Sequence, residues 1–262
     1  MICDFKMTES RTYAETEFLD LVSYTTHGEL LDSVSDYWQN CRGFALATLN
    51  LDHIVKMRHM PEFFEAYKAH THVVADGNPI VWLSRIAGRP IELMPGSDLI
   101  LPLSKLAAEQ NVPIALLGAT KETLNLAADH LEQAYPGLRV VARIAPPFGF
   151  DPAGDDAASQ LRTIRASGAK LCFLALGAPK QELLAARGLE LAPECGFVSI
   201  GAGLDFISGR QSRAPRWVRM LALEWLWRAL GNPSRLAARY GRCILILPGL
   251  FWQALKLRYL RN

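Results

Sequence analysis

The sequence predicts an α/β protein with a mainly parallel sheet, flanking helices and a basic, helical C-terminal segment. Three observations support this fold class. From residue 44 onward, short apolar runs alternate with longer stretches of helical periodicity, which is the pattern of βαβ units. Several apolar runs end directly in a glycine, as strands do where a tight turn leads into a helix. After Gly209 the composition changes to arginine, tryptophan and leucine.

The predicted strands are short, and the strongly apolar run 171–176 is typical of a strand that is covered on both faces, as in a parallel sheet. They cover residues 44–48, 72–75, 113–117, 138–144, 171–176 and 197–200. The predicted helices cover residues 51–70, 79–87, 98–110, 121–135, 155–166 and 180–187. We expect residues 1–40 to be irregular, apart from one apolar-periodic patch at residues 18–31.

The net formal charge of +2 conceals a strong asymmetry. Residues 210–262 carry ten Arg and one Lys against the single acid Glu224, which is a net charge of +10. The rest of the chain carries 17 basic and 25 acidic side chains, which is a net charge of −8. Such a basic segment is suited to nucleic acid, an anionic membrane or an anionic substrate.

An apolar run within the basic segment covers residues 243–255. Its 13 residues fall short of the roughly 20 that span a bilayer. Pro233 predicts a break between two helices ahead of it. Two interpretations stay open: a segment that lies in the headgroup region of an anionic leaflet, or a helix packed on the core with its arginines in water. The flanking basic residues are Arg235, Arg239, Arg242, Lys256, Arg258 and Arg261.

Cysteine usage and the N-terminal residues predict a reduced, cytosolic protein. The five cysteines are scattered, odd in number and form no CxxC pair. The first residues lack the basic-then-apolar pattern of a signal peptide.

Polar side chains follow the first two predicted strands. Thr48 and Asn50 end the first strand, and Asp76 follows the second, beside Gly77. Carboxyl ends of parallel strands meet at one edge of a sheet, where α/β proteins bind ligands. There Asp76 is a candidate general base. The alternative is that Asp76 or Asn78 caps the following helix, and that Asn50 does the same for its own.

Two later glycine turns are candidate phosphate sites. Gly177 is followed by Lys180 and Gln181, and Gly201 begins a run that reaches Asp205. A helix that starts at such a turn offers unpaired N–H groups to an anion, and lysine adds charge. Glutamine has the donor and acceptor needed to read a sugar or a base edge. The alternative is that these are packing turns followed by a solvated first helical turn.

No metal or nucleophile motif stands out. His70 and His72 have no partner at ligand spacing, and neither a DxD nor a GxSxG pattern is present. We therefore predict no metal and no cofactor.

Nine short motifs, taken in order, resemble the WecG/TagA/CpsF family of bacterial glycosyltransferases over about residues 44–240. They are TLN (48–50), ADG with its following NP (75–79), PGSDL (95–99), LLG (116–118), YPGL (135–138), LGAPKQE (176–182), GAGLDFISG (201–209), RAPRW (213–217) and LEWLWR (223–228).

The resemblance implies an inverting, metal-independent transferase with a Rossmann-like core. It would move a sugar from a UDP-sugar to a polyprenyl-diphosphate-linked saccharide, as a peripheral protein on the cytoplasmic face of the membrane. N-acetylmannosamine, its uronic acid, glucuronic acid and galactose are all compatible sugars. The expected segments are an N-terminal extension (1–43), a catalytic core (44–209) and a membrane-associating appendage (210–262). We expect an anionic membrane surface and no nucleic acid as partners; the oligomeric state stays open.

The resemblance also implies roles for single residues. Asp76 matches the family's base, and Thr48 and Asn50 match polar pocket residues. Gln181 matches a glutamine near the donor.

Arg228 and Arg235 match appendage arginines that contact the diphosphates. A third family arginine would fall near position 238, which here is Ala238, with Arg239 beside it.

Two other function classes remain. A dinucleotide-binding oxidoreductase would show a glycine-rich turn after the first strand, where this chain has TLNLDH. A non-catalytic adaptor that uses only its basic tail would leave the polar groups at the sheet edge without a role.

Overall fold

A computed structural model describes residues 18–211 and 233–259, together with residues 214, 215, 218 and 227. Its centre is one six-stranded sheet with the strand order β2-β1-β6-β5-β3-β4. All neighbouring strands are parallel, which confirms the predicted fold class. The strands are β1 (Ala45–Leu49), β2 (His72–Ala75), β3 (Ile114–Gly118), β4 (Val140–Ile144), β5 (Leu171–Ala175) and β6 (Gly196–Ser199).

Ten α-helices among the described residues connect and cover these strands. They are α1 (His27–Gln39), α2 (Leu51–Met57), α3 (Pro61–Ala69), α4 (Asn78–Ile86), α5 (Gly96–Glu109), α6 (Lys121–Ala134), α7 (Asp155–Ala166), α8 (Lys180–Leu191), α9 (Gly203–Ile207) and α10 (Pro233–Tyr259).

Two sequence expectations need correction. The single helix predicted over residues 51–70 is two helices, because Pro61 opens α3 at a position where its missing N–H is not needed. The region expected to be irregular contains α1. Its start is a capping box, in which the Thr26 side chain accepts from the Glu29 N–H and the Glu29 side chain accepts from the Thr26 N–H.

The sheet separates two layers of helices. Along β1, Leu46 packs into the cluster under α1, α5, α6 and α9, whereas Ala47 and Leu49 pack on the opposite side. That opposite side holds α2, α3, α4 and α10 over one half of the sheet, and α7 and α8 over the other. Strands β1, β2, β3, β5 and β6 are thus almost wholly buried on both faces, whereas β4, at the edge of the sheet, exposes alternate residues.

Helix α10 packs against α2 and α4. Its inner face buries Cys243, Leu250 and Ala254. Its outer face is also apolar, since Leu245 is 80% exposed and Trp252 is 63% exposed. The helix thus packs on the core and also presents a second apolar face. No helix among the described residues has the length and hydropathy to cross a bilayer.

A glycine at the carboxyl end of β3 tests the close packing of the sheet. Gly118 has φ +112°, and a Cβ there would lie 2.3 Å from the Ala175 carbonyl oxygen on β5. We expect Gly118→Ala to lower the free energy of unfolding by about 2 kcal/mol or more, since it combines backbone strain with overlap. Urea denaturation measures this. Gly28→Ala in α1 is the control, because nothing lies within 4 Å of its Cβ position, and equal effects of the two variants would contradict the packing argument.

Candidate active site

The register of β1 against β2 brings two polar side chains together. Leu49 pairs with Ala75, and the Asp76 N–H continues the ladder by donating to the Leu49 carbonyl at 2.7 Å. The next residues along each strand, Asn50 and Asp76, therefore lie side by side. The Asn50 Nδ2 donates to the Asp76 Oδ2 at 3.2 Å. The carboxylate is thus oriented at the edge where a ligand approaches.

The capping alternatives have different outcomes for Asn50 and Asp76. Asn50 is the N-cap of α2, and its Oδ1 accepts from the His53 N–H at 3.1 Å. The same side chain thereby caps α2 and contacts Asp76. At α4 the N-cap residue is Gly77, with φ +92° and no side-chain cap hydrogen bond. Neither Asp76 nor Asn78 is therefore the N-cap residue of α4. Thr48 lies one residue before the end of β1 and is buried.

The two later glycine turns form one unit. Gly177 has φ +72° and Gly201 has φ +55°, the left-handed region that favours glycine. The Oε1 of Gln181 accepts from the Gly177 N–H at 3.2 Å and from the Gly201 N–H at 3.0 Å. One buried carbonyl therefore ties the turn after β5 to the turn after β6.

Both polar atoms of the Gln181 side chain have partners within the protein, and its expected place near the donor stays a prediction. Its oxygen is used by the two turns, and its Nε2 donates to the Glu182 Oε1 at 2.8 Å. The N–H groups of Gly177 and Gly201 point to Gln181 and not towards an anion. Gln181 would therefore affect donor binding by holding the Gly177 and Gly201 turns in position.

Lysines anchor the loops beside the Gly177 turn. The Lys180 Nζ donates to the Phe150 carbonyl at 2.7 Å, which holds the loop after β4. The Lys56 Nζ donates to the Ala178 carbonyl at 3.2 Å, next to a cis peptide before Pro179. Both ammonium groups therefore lie at this edge of the sheet. Pro179 is the N-cap residue of α8.

A charged cluster connects this edge to α10. The Asp52 Oδ2 lies 2.5 Å from the Lys56 Nζ and 3.1 Å from a terminal nitrogen of Arg239. Burial raises the pKa of Asp52, but the Lys56 hydrogen bond and the Arg239 charge outweigh it and leave the pKa below its usual value. Asp52 is two residues from Asn50, so the basic segment borders the candidate site.

The remaining predicted residues are placed less fully. Asp205 is half-buried in the first turn of α9, just after the Gly201 turn. The backbone of Arg235 lies in the first turn of α10, and its side chain is outside the described residues. Arg228 lies outside them altogether. Their roles stay predictions.

The sequence did not reveal a buried polar group behind Asn50. The His53 Nδ1 lies 2.5 Å from the Tyr67 Oη, and the His53 Nε2 lies 3.4 Å from the Asn50 Nδ2. Burial lowers the pKa of His53 to about 3. Glu182 is also fully buried, and burial raises its pKa to about 7 despite the hydrogen bond from Gln181. Glu182 ends the LGAPKQE motif, but the motif does not show that this acid is buried, and the contact between His53 and Tyr67 joins two different helices.

Histidines and acids do not gather into a metal cluster in the part of the chain that the structure describes. The two histidines considered as ligands contact other protein groups. The His70 Nδ1 lies 2.6 Å from the Ala66 carbonyl, and the His72 Nδ1 lies 2.7 Å from the Thr71 Oγ1.

The chain is similar to known glycosyl transferases. Residues 18–262 match the model of the glycosyl transferase WecG/TagA/CpsF family. Two curated relatives carry the name N-acetylglucosaminyldiphosphoundecaprenol N-acetyl-β-D-mannosaminyltransferase. The one from Bacillus spizizenii is 25% identical over 231 residues, which is 87% of this chain and 85% of the relative. The one from Bacillus subtilis is 26% identical over 176 residues, which is 66% of each protein.

The raised pKa of Glu182 makes stability depend on pH. The folded state holds a proton between the usual carboxyl pKa of 4.5 and the folded value of about 7. This contribution to stability is complete below pH 4.5 and is lost as the pH rises through 7. Glu182→Gln mimics the protonated acid. We expect the difference in free energy of unfolding between this variant and wild type to grow in favour of the variant as the pH rises from 5 to 8, by at most about 3 kcal/mol.

Urea denaturation at both pH values measures this gain. The control is Glu109→Gln, which removes a carboxyl group from a side chain that is 58% exposed and measures the effect of the substitution itself at both pH values. The same difference between Glu182→Gln and wild type at both pH values would show that Glu182 does not titrate in this range.

Proposed function

The chain belongs to the WecG/TagA/CpsF family of glycosyl transferases, and from this premise we propose its substrates and chemistry. It transfers a sugar from a UDP-sugar to a polyprenyl-diphosphate-linked saccharide, with inversion and without a metal ion. The observation that carries the proposal is the carboxylate of Asp76, held by Asn50 at the edge of the sheet. Membership of a transferase family sets aside the oxidoreductase and the non-catalytic adaptor.

The names of the two relatives support the choice of substrates. Both act on an undecaprenyl-diphosphate-linked N-acetylglucosamine and transfer N-acetylmannosamine. N-acetylmannosamine is therefore the first donor sugar to test here. About three quarters of the aligned residues differ from those of the relatives, so the donor sugar can differ too. N-acetylmannosaminuronic acid and glucuronic acid are therefore the next donor sugars to test.

Asp76 acts as the general base of a single displacement. It accepts the proton of the acceptor hydroxyl while that oxygen attacks the anomeric carbon, and the bond to the UDP oxygen breaks. Attack from the face opposite the leaving group inverts the anomeric configuration. Asn50 keeps the carboxylate turned towards the acceptor, since its amide donates to Oδ2 and limits rotation of the carboxylate.

The leaving UDP develops negative charge, which basic groups at the same edge offset. Lys180 is beside the Gly177 turn, and Arg228 and Arg235 belong to the basic segment that follows α9. The N–H groups of the two glycine turns are bonded to Gln181, so the turns contribute a surface without Cβ atoms that the diphosphate can approach closely. Arg239, adjacent to the position that lacks the third family arginine, reaches the edge through Asp52.

Helix α10 docks the enzyme on the inner face of the membrane. Its outer face carries exposed leucine and tryptophan, and Arg242 and Arg258 beside them are exposed too. A helix of this kind lies in the plane of an anionic leaflet, with the apolar groups at the acyl boundary and the cations at the headgroups. The lipid-linked acceptor would then meet Asp76 from the membrane side.

The base assignment predicts a selective loss of turnover. We expect Asp76→Asn to keep its fold and its UDP affinity and to lose about a hundredfold or more in kcat, the scale of general-base removal. The assay is UDP release from UDP-N-acetylmannosamine with a short-chain polyprenyl-diphosphate N-acetylglucosamine, in the presence of EDTA. Asp129→Asn, whose carboxylate is 60% exposed, should turn over normally. An Asp76→Asn variant with near wild-type kcat would remove Asp76 from the chemistry, and wild-type activity that needs added magnesium would disprove metal independence.

The docking surface predicts separable membrane binding. We expect Leu245→Gln combined with Trp252→Gln to lower the affinity for phosphatidylglycerol liposomes, measured by sedimentation, by roughly tenfold or more. The reason is that both apolar side chains at the acyl boundary are replaced by polar amides. Binding of the wild type should also fall as salt rises. The control pair is Leu126→Gln with Val141→Gln, which are 44% and 38% exposed on other elements. Equal losses in both pairs, or none, would contradict docking through α10.

A further inference from the structure

A line of hydrogen bonds runs from the edge of the sheet into the core behind Asp76. It passes from the Asp76 carboxylate to the Asn50 amide at 3.2 Å, then to the His53 ring at 3.4 Å and to the Tyr67 hydroxyl at 2.5 Å. His53 is 4% exposed and Tyr67 is 1% exposed. The two inner members are therefore closed to solvent and to substrate.

The orientation of the Asn50 amide follows from its neighbours. Its oxygen must face the His53 backbone N–H, which can only donate. Its nitrogen must face the Asp76 carboxylate, which can only accept when ionised. The second N–H of this nitrogen is then the group that lies 3.4 Å from the His53 Nε2.

This orientation determines where the His53 proton resides. The Nε2 has to be unprotonated to accept from Asn50, so a neutral ring carries its proton on Nδ1. The Nδ1–H then donates to the Tyr67 Oη. With a pKa lowered to about 3 by burial, the ring stays neutral at any working pH. In the other tautomer, two N–H groups would face each other between His53 and Asn50.

We propose that His53 and Tyr67 are positioning residues, which hold the Asn50 amide against Asp76 by fixing the Nδ1–H tautomer of His53. The proposal rests on the proposed function, since it assigns Asp76 the role of the base. The Asn50 amide requires an unprotonated Nε2, and the Tyr67 hydroxyl stabilises the same tautomer by accepting from Nδ1–H. His53 thus presents its Nε2 lone pair to Asn50, and Asn50 orients the carboxylate. Neither inner residue touches substrate.

Two substitutions of His53 distinguish the effect of losing the Nε2 hydrogen-bond acceptor from the effect of losing the ring. In His53→Gln the side-chain oxygen can take the place of Nε2 and accept from Asn50. In His53→Asn the amide reaches only as far as Nδ1, so the bond to Tyr67 is kept and the acceptor for Asn50 is lost. We expect His53→Asn to lose about tenfold or more in kcat, with the KM for the donor within about twofold of wild type, and His53→Gln to recover most of that loss. A purely structural histidine would not favour the acceptor-retaining variant in kcat.

Tyr67→Phe is the gentler second variant, because it keeps the ring and removes only the hydroxyl. It should lower kcat about tenfold, again with the KM for the donor nearly unchanged. Tyr24→Phe is the matched control. It also removes a tyrosine hydroxyl with a side-chain partner, the Ser33 Oγ at 2.7 Å, and Tyr24 packs in the cluster on the other face of the sheet. Its kcat should equal that of wild type.

Nitrogen-15 NMR of the histidine rings reads the tautomer without any activity. The chain has six histidines, and the signal that His53→Gln removes identifies His53. We expect Nδ1–H in the wild type, with no titration between pH 5 and pH 8, and a population of Nε2–H in Tyr67→Phe. An Nε2–H ring in the wild type would overturn the proposal, as would wild-type kcat in both His53→Asn and Tyr67→Phe. A wild type without acceptor-dependent UDP release would instead overturn the proposed function, and the NMR result would still decide whether the hydrogen-bond chain exists.

Discussion

The in-register pairing of β1 with β2 is the constraint on which the candidate site depends. Because Leu49 pairs with Ala75, the first residue after each strand, Asn50 and Asp76, emerges at the same height of the sheet. A shift of one residue would turn Asn50 or Asp76 towards the opposite face. The apolar residues of both strands are buried in the helix layers on either side, so the same packing that folds the sheet also fixes this register. The proposed general base therefore needs no flexible loop to bring it into place.

The other half of the edge is rigid for a different reason. Gln181 places one buried carbonyl between the Gly177 and Gly201 N–H groups, and this joins the turns after β5 and β6 into one surface. Lys56 links that surface to Asp52, and Asp52 links it to Arg239 on α10. The proposed donor surface and the proposed docking helix are therefore physically connected. Contact of α10 with a membrane would act on a helix that already touches the site.

The sequence predicts those features that depend on neighbouring residues. Five of the six strands are found where apolar runs end in polar or glycine residues, whereas β4 ends before an alanine and two prolines. Asp76 was identified because it follows such a run. What the sequence could not predict depends on contacts between distant elements. Gln181 was expected to face a ligand, because nothing near it in the chain shows that Gly201 needs its oxygen. His53 and Tyr67 looked like parts of one long helix, and only the break before Pro61 turns α3 so that Tyr67 meets His53.

The most direct test of Asp76 as the general base is a crystal structure with UDP and a short-chain polyprenyl-diphosphate N-acetylglucosamine. The distance to measure joins the acceptor hydroxyl to the Asp76 carboxylate. We expect this distance to be about 2.6–3.2 Å, the reach of a general base, and the diphosphate of UDP to lie against the Gly177 and Gly201 turns. An acceptor hydroxyl that instead contacts another carboxylate or histidine, with Asp76 turned away from it, would contradict the account.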